Sequence, residues 1–370
     1  MLDWYDTMHN NASHNGQALW QCRMRMAQDP SSRIVVAGAG SVGCYLGGCL
    51  AAAGRDVTLL LRPALAAAIE AHGLRVCDLD GGDRTLDRRA LRLATEPSSA
   101  LGEAEIILVT VKCGATAQMA RLIARHAPNE AIVVSLQNGV ANPDTLRAEL
   151  APSQRALAGM VPFNVVSSRR QGEAPRFFRA SSGTVQIARG IAGLKGVLDV
   201  AGAPVAEHGD MPAVLWGKLL LNLNNALNAI SDLPLAAQLA DRRWRRLLAA
   251  QIDEALAILN LNGIVAARIE GVPPGALSGI LRLPDFLFHR LARRMLAIAE
   301  ESRSSMWDDL SLRRTTEIDY LQGAILHLAQ AAGRSAPLTR RIVGLVKGAE
   351  ADGRGPPGLE PDAIARTRSM

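Results

Sequence analysis

The sequence predicts an α/β chain in two parts: a doubly wound parallel sheet, then an all-helical C-terminal domain. Three observations predict it. The stretch Arg33-Ile-Val-Val-Ala-Gly-Ala-Gly-Ser-Val-Gly43 runs from a β-branched apolar strand through a glycine-rich turn into an alanine- and leucine-rich helix. From Arg33 to about residue 208, strand and helix patterns alternate as βαβ units do. Residues 209–347 carry helical periods with abundant Ala, Leu and Arg and almost no strand signal.

Taken in order, residues 1–32 lack a hydrophobic period and are rich in Asn, Gln, His and Met, which reads as a disordered or late-ordering extension. Gly54 ends the first helix, and Asp56–Leu61 is the second strand, with Arg62-Pro63 at its C-terminal end. A helix over 64–72 leads into a less regular segment, 73–95, read as a hairpin turning at Gly81-Gly82. Glu105–Val111 is a buried parallel strand ending at Lys112; a helix over 115–126 follows, then strand 131–136, ending in Gln137-Asn138-Gly139. A helix over 143–150 and strands near 155–166 and 183–188 continue the sheet. The domains so defined are a nucleotide-binding unit at 33–208, a helical unit at 209–347 that completes the site, and a frayed tail over 348–370 containing Gly-Arg-Gly-Pro-Pro.

Composition narrows the function classes. Apolar content of 48% and charge of 21% describe an ordinary soluble globular protein. The net charge of +6 is scattered over helical stretches such as Arg242-Arg243-Trp244-Arg245-Arg246, so solvated helix faces explain it better than a nucleic-acid surface. Five cysteines with no CxxC pair read as buried thiols of a reducing compartment and not as metal ligands. No apolar run approaches the length of a transmembrane helix.

The glycine turn carries the strongest chemistry. Gly38 permits the tight turn, Gly40 lets the backbone approach a pyrophosphate, and Gly43 lets helix and strand pack closely. The N–H groups of Ser41, Val42 and Gly43 and the positive end of the helix dipole then hold the phosphates, the arrangement of a Rossmann-type dinucleotide site. Where an acidic residue selects NAD by bonding the ribose 2′-hydroxyl, this chain has Arg62, which pairs instead with a 2′-phosphate and favours NADPH; an ordinary loop arginine is the bland alternative. Lys112 ends its strand within reach of the same cofactor, and a solvated strand-end lysine explains it nearly as well.

Two further clusters lie in the helical unit. In Trp216-Gly-Lys218-Leu-Leu-Leu-Asn222-Leu-Asn-Asn225, the spacing puts Lys218, Asn222 and Asn225 on one helix face. Asparagine is a poor helix former, so this concentration costs propensity, a conflict more expected at a working site than elsewhere. On that reading Lys218 protonates a developing alkoxide and Asn222 orients its oxygen, and a solvated helix face accounts equally for the stripe. In Ser304-Ser305-Met-Trp-Asp-Asp-Leu-Ser-Leu-Arg-Arg-Thr-Thr-Glu317-Ile-Asp-Tyr320, Ser305 with Asp308 and Thr316 before Glu317 look like two helix starts. A break near Arg313–Thr315 would let Ser305 and Glu317 face one pocket; two consecutive caps and a first-turn glutamate account equally for the pattern.

Together, GxGxxG, the strand-end arginine, Val-Lys, Gln-Asn-Gly, Lys-x-x-x-Asn and Ser-Ser-Met…Thr-Glu-Ile-Asp-Tyr resemble the ketopantoate reductase (2-dehydropantoate 2-reductase) family over roughly residues 33 to 347. The resemblance implies NADPH-dependent reduction of the ketone of 2-dehydropantoate to (R)-pantoate in pantothenate synthesis. It gives Lys218 the general-acid role, makes Glu317 the carboxylate that bonds the substrate hydroxyl, makes Asn138 and Asn222 site asparagines, and makes Ser305 a contact for the substrate carboxylate. Arg62 and Lys112 match cofactor-phosphate contacts. The family often has another asparagine eight residues after the lysine; Ala226 stands there in this chain, with Asn225 adjacent. Expected partners are a small-molecule 2-oxo acid and a second copy in a homodimer, with no nucleic acid, membrane or metal, in the cytoplasm. A reductase of another branched or aromatic 2-oxo acid and an NADPH sensor without turnover are the competing readings. Lys218 and Glu317 together argue against the sensor, which needs neither.

Overall fold

The computed structural model describes residues 31–269, 271–291 and 301–365. All of the extension read over 1–32 except its last two residues lies outside these, as do residues 366–370 of the tail.

The main sheet has eight strands in the order β12-β11-β8-β7-β6-β1-β2-β5. They are β1 (Ile34–Ala37), β2 (Val57–Leu60), β5 (Arg92–Ala94), β6 (Ile106–Val109), β7 (Ile132–Ser135), β8 (Arg155–Met160), β11 (Val185–Ala188) and β12 (Val205–His208). All neighbours pair in parallel except β8 and β11. Alternate residues serve opposite faces. Ile34 and Val36 join a core with Ile106, Leu108 and Val134, while Val35 and Ala37 join another with Ile107, Val109 and Val133. The chain departs from β1 to β2 on one side and later to β6 on the other, so a crevice opens at the C-terminal ends of β1 and β6, where ligands of doubly wound sheets bind.

Helices α1 (Ser41–Ala52) and α2 (Pro63–His72) follow β1 and β2; α3 (Pro97–Leu101), α4 (Thr116–His126) and α5 (Asn142–Glu149) follow β5, β6 and β7, and α6 (Leu194–Leu198) precedes β12. A second sheet, ordered β4-β3-β10-β9, is built from β3 (Leu74–Asp78), β4 (Asp83–Leu86), β9 (Val165–Ser168) and β10 (Arg176–Arg179). The hairpin read over 73–95 is thus present as the antiparallel pair β3–β4. The strand read over 155–166 is two: the chain leaves the main sheet after Met160, passes Pro162, and β9 pairs with β10 instead. The second sheet covers the side of α1 that faces away from the main sheet. Leu74, Val76 and Phe177 share one apolar core with Tyr45, Cys49 and Leu50 of α1 and with Leu59 of β2.

The helical half begins with α7 (Met211–Ser231), capped by the Asp210 side chain accepting from Ala213 N–H at 3.0 Å. It continues through α8 (Leu235–Ala240), α9 (Arg242–Leu261), α10 (Pro274–Arg282), α11 (Asp285–Leu291), α12 (Ser305–Ser311), α13 (Gln322–Ala331), α14 (Pro337–Asp352) and α15 (Pro361–Ala365). The tail expected to fray from Gly348 is ordered through α15. Gly353 stops α14 at φ +61°, but Leu359 N–H then donates to Ile230 O at 2.9 Å and Ile364 is buried in the helical core. Apolar anchors after the Gly-Pro stretch outweigh its breaker residues.

Candidate active site

The phosphate turn has the geometry its sequence requires. Gly38 sits at φ +83°, and a Cβ there would lie 2.1 Å from Val111 Cγ1. A Cβ on Gly43 would lie 2.5 Å from Thr110 Oγ1 and 2.9 Å from Val36 Cγ1, so helix and sheet approach more closely than a side chain allows. At Gly40 the same test meets nothing within 4 Å. The first intrahelical bond to Gly40 O comes from Cys44 N–H at 2.9 Å, and no side chain caps the helix. The N–H groups of Ser41, Val42 and Gly43 therefore precede the hydrogen-bonded ladder and face space beside Gly40. Arg62 is exposed at the C-terminal end of β2, as the residue before α2. An open cradle of unladdered N–H groups with a guanidinium nearby fits a dinucleotide phosphate.

Lys112 follows the strand end beside this turn. It pairs across the cleft with Asp309 of α12, whose carboxyl burial pushes above the ordinary range against the pull of that lysine. The next residue, Cys113, donates its backbone N–H to Glu317 Oε1 at 2.9 Å. One strand on, Asn138 Oδ1 accepts from Asn222 Nδ2 at 3.2 Å. Half-buried Lys218, one helical turn before Asn222 on α7, donates to Pro162 O at 2.9 Å. So Lys218, Asn222, Glu317 and Asp309 from the helical half all meet the C-terminal edge of the sheet, next to the phosphate turn. Burial and the neighbouring Glu317 carboxylate hold the Cys113 thiol protonated far above its usual range.

Glu317 reaches this edge because α12 stops at Ser311 and Arg313 takes φ +53°, the break expected near Arg313–Thr315. The second helix start read at Thr316 is not one. Thr316 Oγ1 accepts from Ile318 N–H at 3.2 Å within a turn, and α13 begins only at Gln322. Gln322 Nε2 ties this turn to α7 through Leu223 O at 3.0 Å.

The chain matches the model of "Ketopantoate reductase PanE/ApbA" over residues 34–188 and that of its C-terminal domain over residues 210–350. The chain belongs to the ketopantoate reductase family. It is 29% identical over 328 residues to 2-dehydropantoate 2-reductase of Halobacterium salinarum, covering 87% of this chain and 100% of that one. A solved PanE/ApbA family ketopantoate reductase from Ralstonia eutropha is 30% identical with a TM-score of 0.72, covering 87% of this chain and 99% of that one. A D-mandelate dehydrogenase bound to NADH and anilino(oxo)acetate shares the fold at 20% identity and a TM-score of 0.70, over 87% of this chain and 99% of that one.

The structure adds local detail to several of the expected site residues. Ser304, not Ser305, is the buried cap of α12: its Oγ accepts from Trp307 N–H at 3.1 Å and donates to Asn225 O at 3.0 Å. Ser305 is the exposed first residue of the helix, since the cap sits one position earlier. Asn225 enters through this backbone carbonyl, and Ala226 is fully buried in the helical core. The asparagine concentration on α7 is only partly a site signal. Asn224 and Asn228 pair with the buried Gln238 amide at 3.3 and 3.1 Å, and Asn228 Oδ1 accepts from Ser304 N–H at 2.8 Å. Asp309 and Asn142 stand in no motif of the sequence and Cys113 reads there only as a buried thiol; the charge of Asp309 beside the Ser-Ser-Met motif is the one readable cue. Among the described residues no cluster of His, Cys, Asp or Glu can hold a metal, and no helix is long and apolar enough to cross a membrane.

Proposed function

We propose that the protein reduces the ketone of 2-dehydropantoate to (R)-pantoate with NADPH, a step of pantothenate synthesis, in the cytoplasm. The observation that carries the reading is the convergence of Lys218 and Asn222 with Glu317 and Asn138 at the strand ends beside the glycine turn. The turn's N–H groups and Arg62 would hold the dinucleotide, and Arg62 in place of an acidic residue supports NADPH. When bound, the cofactor supplies the reducing electron pair and one hydrogen of the new C–H bond.

The chain's own residues supply the rest. Lys218 gives a proton to the oxygen as it becomes an alkoxide, so ketone, hydrogen and proton balance to an alcohol. Buried Asn222, steadied by Asn138, directs its amide toward that oxygen. Glu317, held at Oε1 by Cys113 N–H, accepts a further hydrogen bond from the substrate's C4 hydroxyl. Closing the two halves removes water from these groups and strengthens each contact.

Initial rates of NADPH oxidation test the reading. 2-Dehydropantoate is expected to exceed 2-oxoisovalerate, which lacks the hydroxyl, by at least about 10²-fold in kcat/KM. Glu317→Gln should damage turnover of the first substrate more than of the second. A better rate with 2-oxoisovalerate or an aromatic 2-oxo acid would replace 2-dehydropantoate as substrate. The same reading takes the enzyme as a homodimer acting on a small molecule, which sedimentation checks directly.

A further inference from the structure

The loops that end β6 and β7 are joined by a closed polar chain that none of the steps above uses. Ser135 Oγ donates to Gln137 Oε1 at 3.1 Å. Gln137 Nε2 donates to Val111 O at 3.0 Å and to Thr116 Oγ1 at 2.6 Å. Thr116 Oγ1 lies 2.8 Å from both Cys113 O and Asn142 Oδ1, so its one proton is shared between the two loops. Asn142 Nδ2 closes the circuit on Asn138 O at 2.5 Å and on Cys113 Sγ at 3.3 Å; that thiol itself donates to Asn138 O at 3.0 Å. Thr116 is 1% exposed, Asn142 and Cys113 are 4% and Gln137 is 7%. Burying such groups between two loops is costly unless every one is bonded, and once bonded they specify a single arrangement.

The arrangement they specify has two outputs, one on each loop. Cys113 N–H holds Glu317, and the Asn138 side chain holds Asn222. We propose that Thr116 and Asn142 are positioning residues for the reduction. Touching neither substrate nor cofactor, they fix Cys113 N–H and Asn138 and so set Glu317 and Asn222 against Lys218. The inference rests on the reductase reading above. Apolar side chains of the same size would fill the space between the loops, but would leave the Asn138 and Cys113 carbonyls free to turn.

Two substitutions at one position separate hydrogen bonding from packing. Thr116→Val keeps the shape and removes the hydroxyl; Thr116→Ser keeps the hydroxyl and removes the methyl. Positioning predicts that Val lowers kcat by about 10- to 100-fold, the scale of a misplacement near 1 Å, while Ser stays within about threefold. The NADPH Kd, read by its fluorescence, stays within about threefold in both, because the glycine turn is untouched. Asn142→Ala should repeat the Val result. The proposal is overturned if Ser is as damaging as Val, if NADPH affinity falls as far as kcat, or if both Thr116→Val and Asn142→Ala fail to fold. Amide hydrogen exchange gives an arm independent of turnover. Val is expected to speed exchange at 112–115 and 136–142 and Ser to leave it unchanged, and equal exchange in the two overturns positioning. A wild-type protein that reduces no 2-oxo acid refutes the reductase reading, and the exchange arm then decides the positioning role by itself.

Discussion

Gly40→Ala separates the fold of the phosphate turn from its use. Gly40 sits at φ −83°, outside the left-handed range that favours glycine, and its added methyl meets nothing within 4 Å. The ligand-free protein should therefore hold its stability or gain up to about 1 kcal/mol from a stiffer unfolded chain, a shift of no more than about 4 °C in Tm. The methyl instead fills the space in front of the Ser41–Gly43 N–H groups. Losing one charge-assisted phosphate contact costs about 1.5–3 kcal/mol, or about 10- to 150-fold in NADPH affinity. At a ligand concentration near 100 times the wild-type Kd, NADPH stabilises the wild type by about 2.7 kcal/mol; after a 100-fold weakening, about 0.4 kcal/mol remains. Thermal melts with and without NADPH, together with a fluorescence titration, read both quantities. A Kd within threefold of wild type, or a ligand-free Tm lowered by more than about 4 °C, would refute the assignment of that space to phosphate.

Three other outcomes are expected. Arg62→Ala should erase about 10- to 150-fold of the NADPH-over-NADH preference in kcat/KM, and an unchanged ratio removes Arg62 from 2′-phosphate recognition. Lys218→Ala should lower kcat by about 10²–10⁴-fold with little change in NADPH Kd, and a variant keeping more than about a third of wild-type kcat shows that another group gives the proton. Arg245 is fully buried, donates to the carbonyls of Leu239, Ala240, Leu281 and Leu283, and stacks 4.2 Å over Phe288. Arg245→Met leaves those carbonyls unbonded and should cost about 2–4 kcal/mol in urea unfolding without moving the NADPH Kd; a loss under 1 kcal/mol would mean the helical core repacks around it.

β1, β2, β6 and β7 were legible because each is a short apolar run rich in β-branched residues, and the glycine turn because its chemistry is local; β5, Arg-Leu-Ala, carries no such signal. The second sheet was not, since β10 joins β3 from far earlier in the chain and β9 carries little apolar pattern, with Ser167 and Ser168 exposed. In the candidate site, helical spacing put Lys218 and Asn222 on one face, and the resemblance to the family singled them out. Glu317 needed the break at Arg313, whose positive φ no residue preference announces. Either hydroxyl of the serine pair satisfies the cap pattern, and the burial of Ser304 against Asn225 and Asn228 decides which one caps the helix. Asn224 and Asn228 show the limit of counting asparagines: a buried amide partner at Gln238 makes the same sequence signal as a ligand does.

The second sheet has a mechanical consequence for the catalytic cycle. With β3 and β10 on one side of α1 and the main sheet on the other, and Tyr45 bonded to Gly202 O at 2.8 Å, the helix that meets the phosphates has no free side along which to slide. On the proposed reading, any opening of the site for ligand therefore moves the helical half. Lys218 and Glu317 travel together in that half, because Gln322 fastens the Glu317 turn to α7. On that reading the cofactor's frame of reference stays fixed, while the proposed proton donor and hydroxyl acceptor arrive and withdraw as one unit.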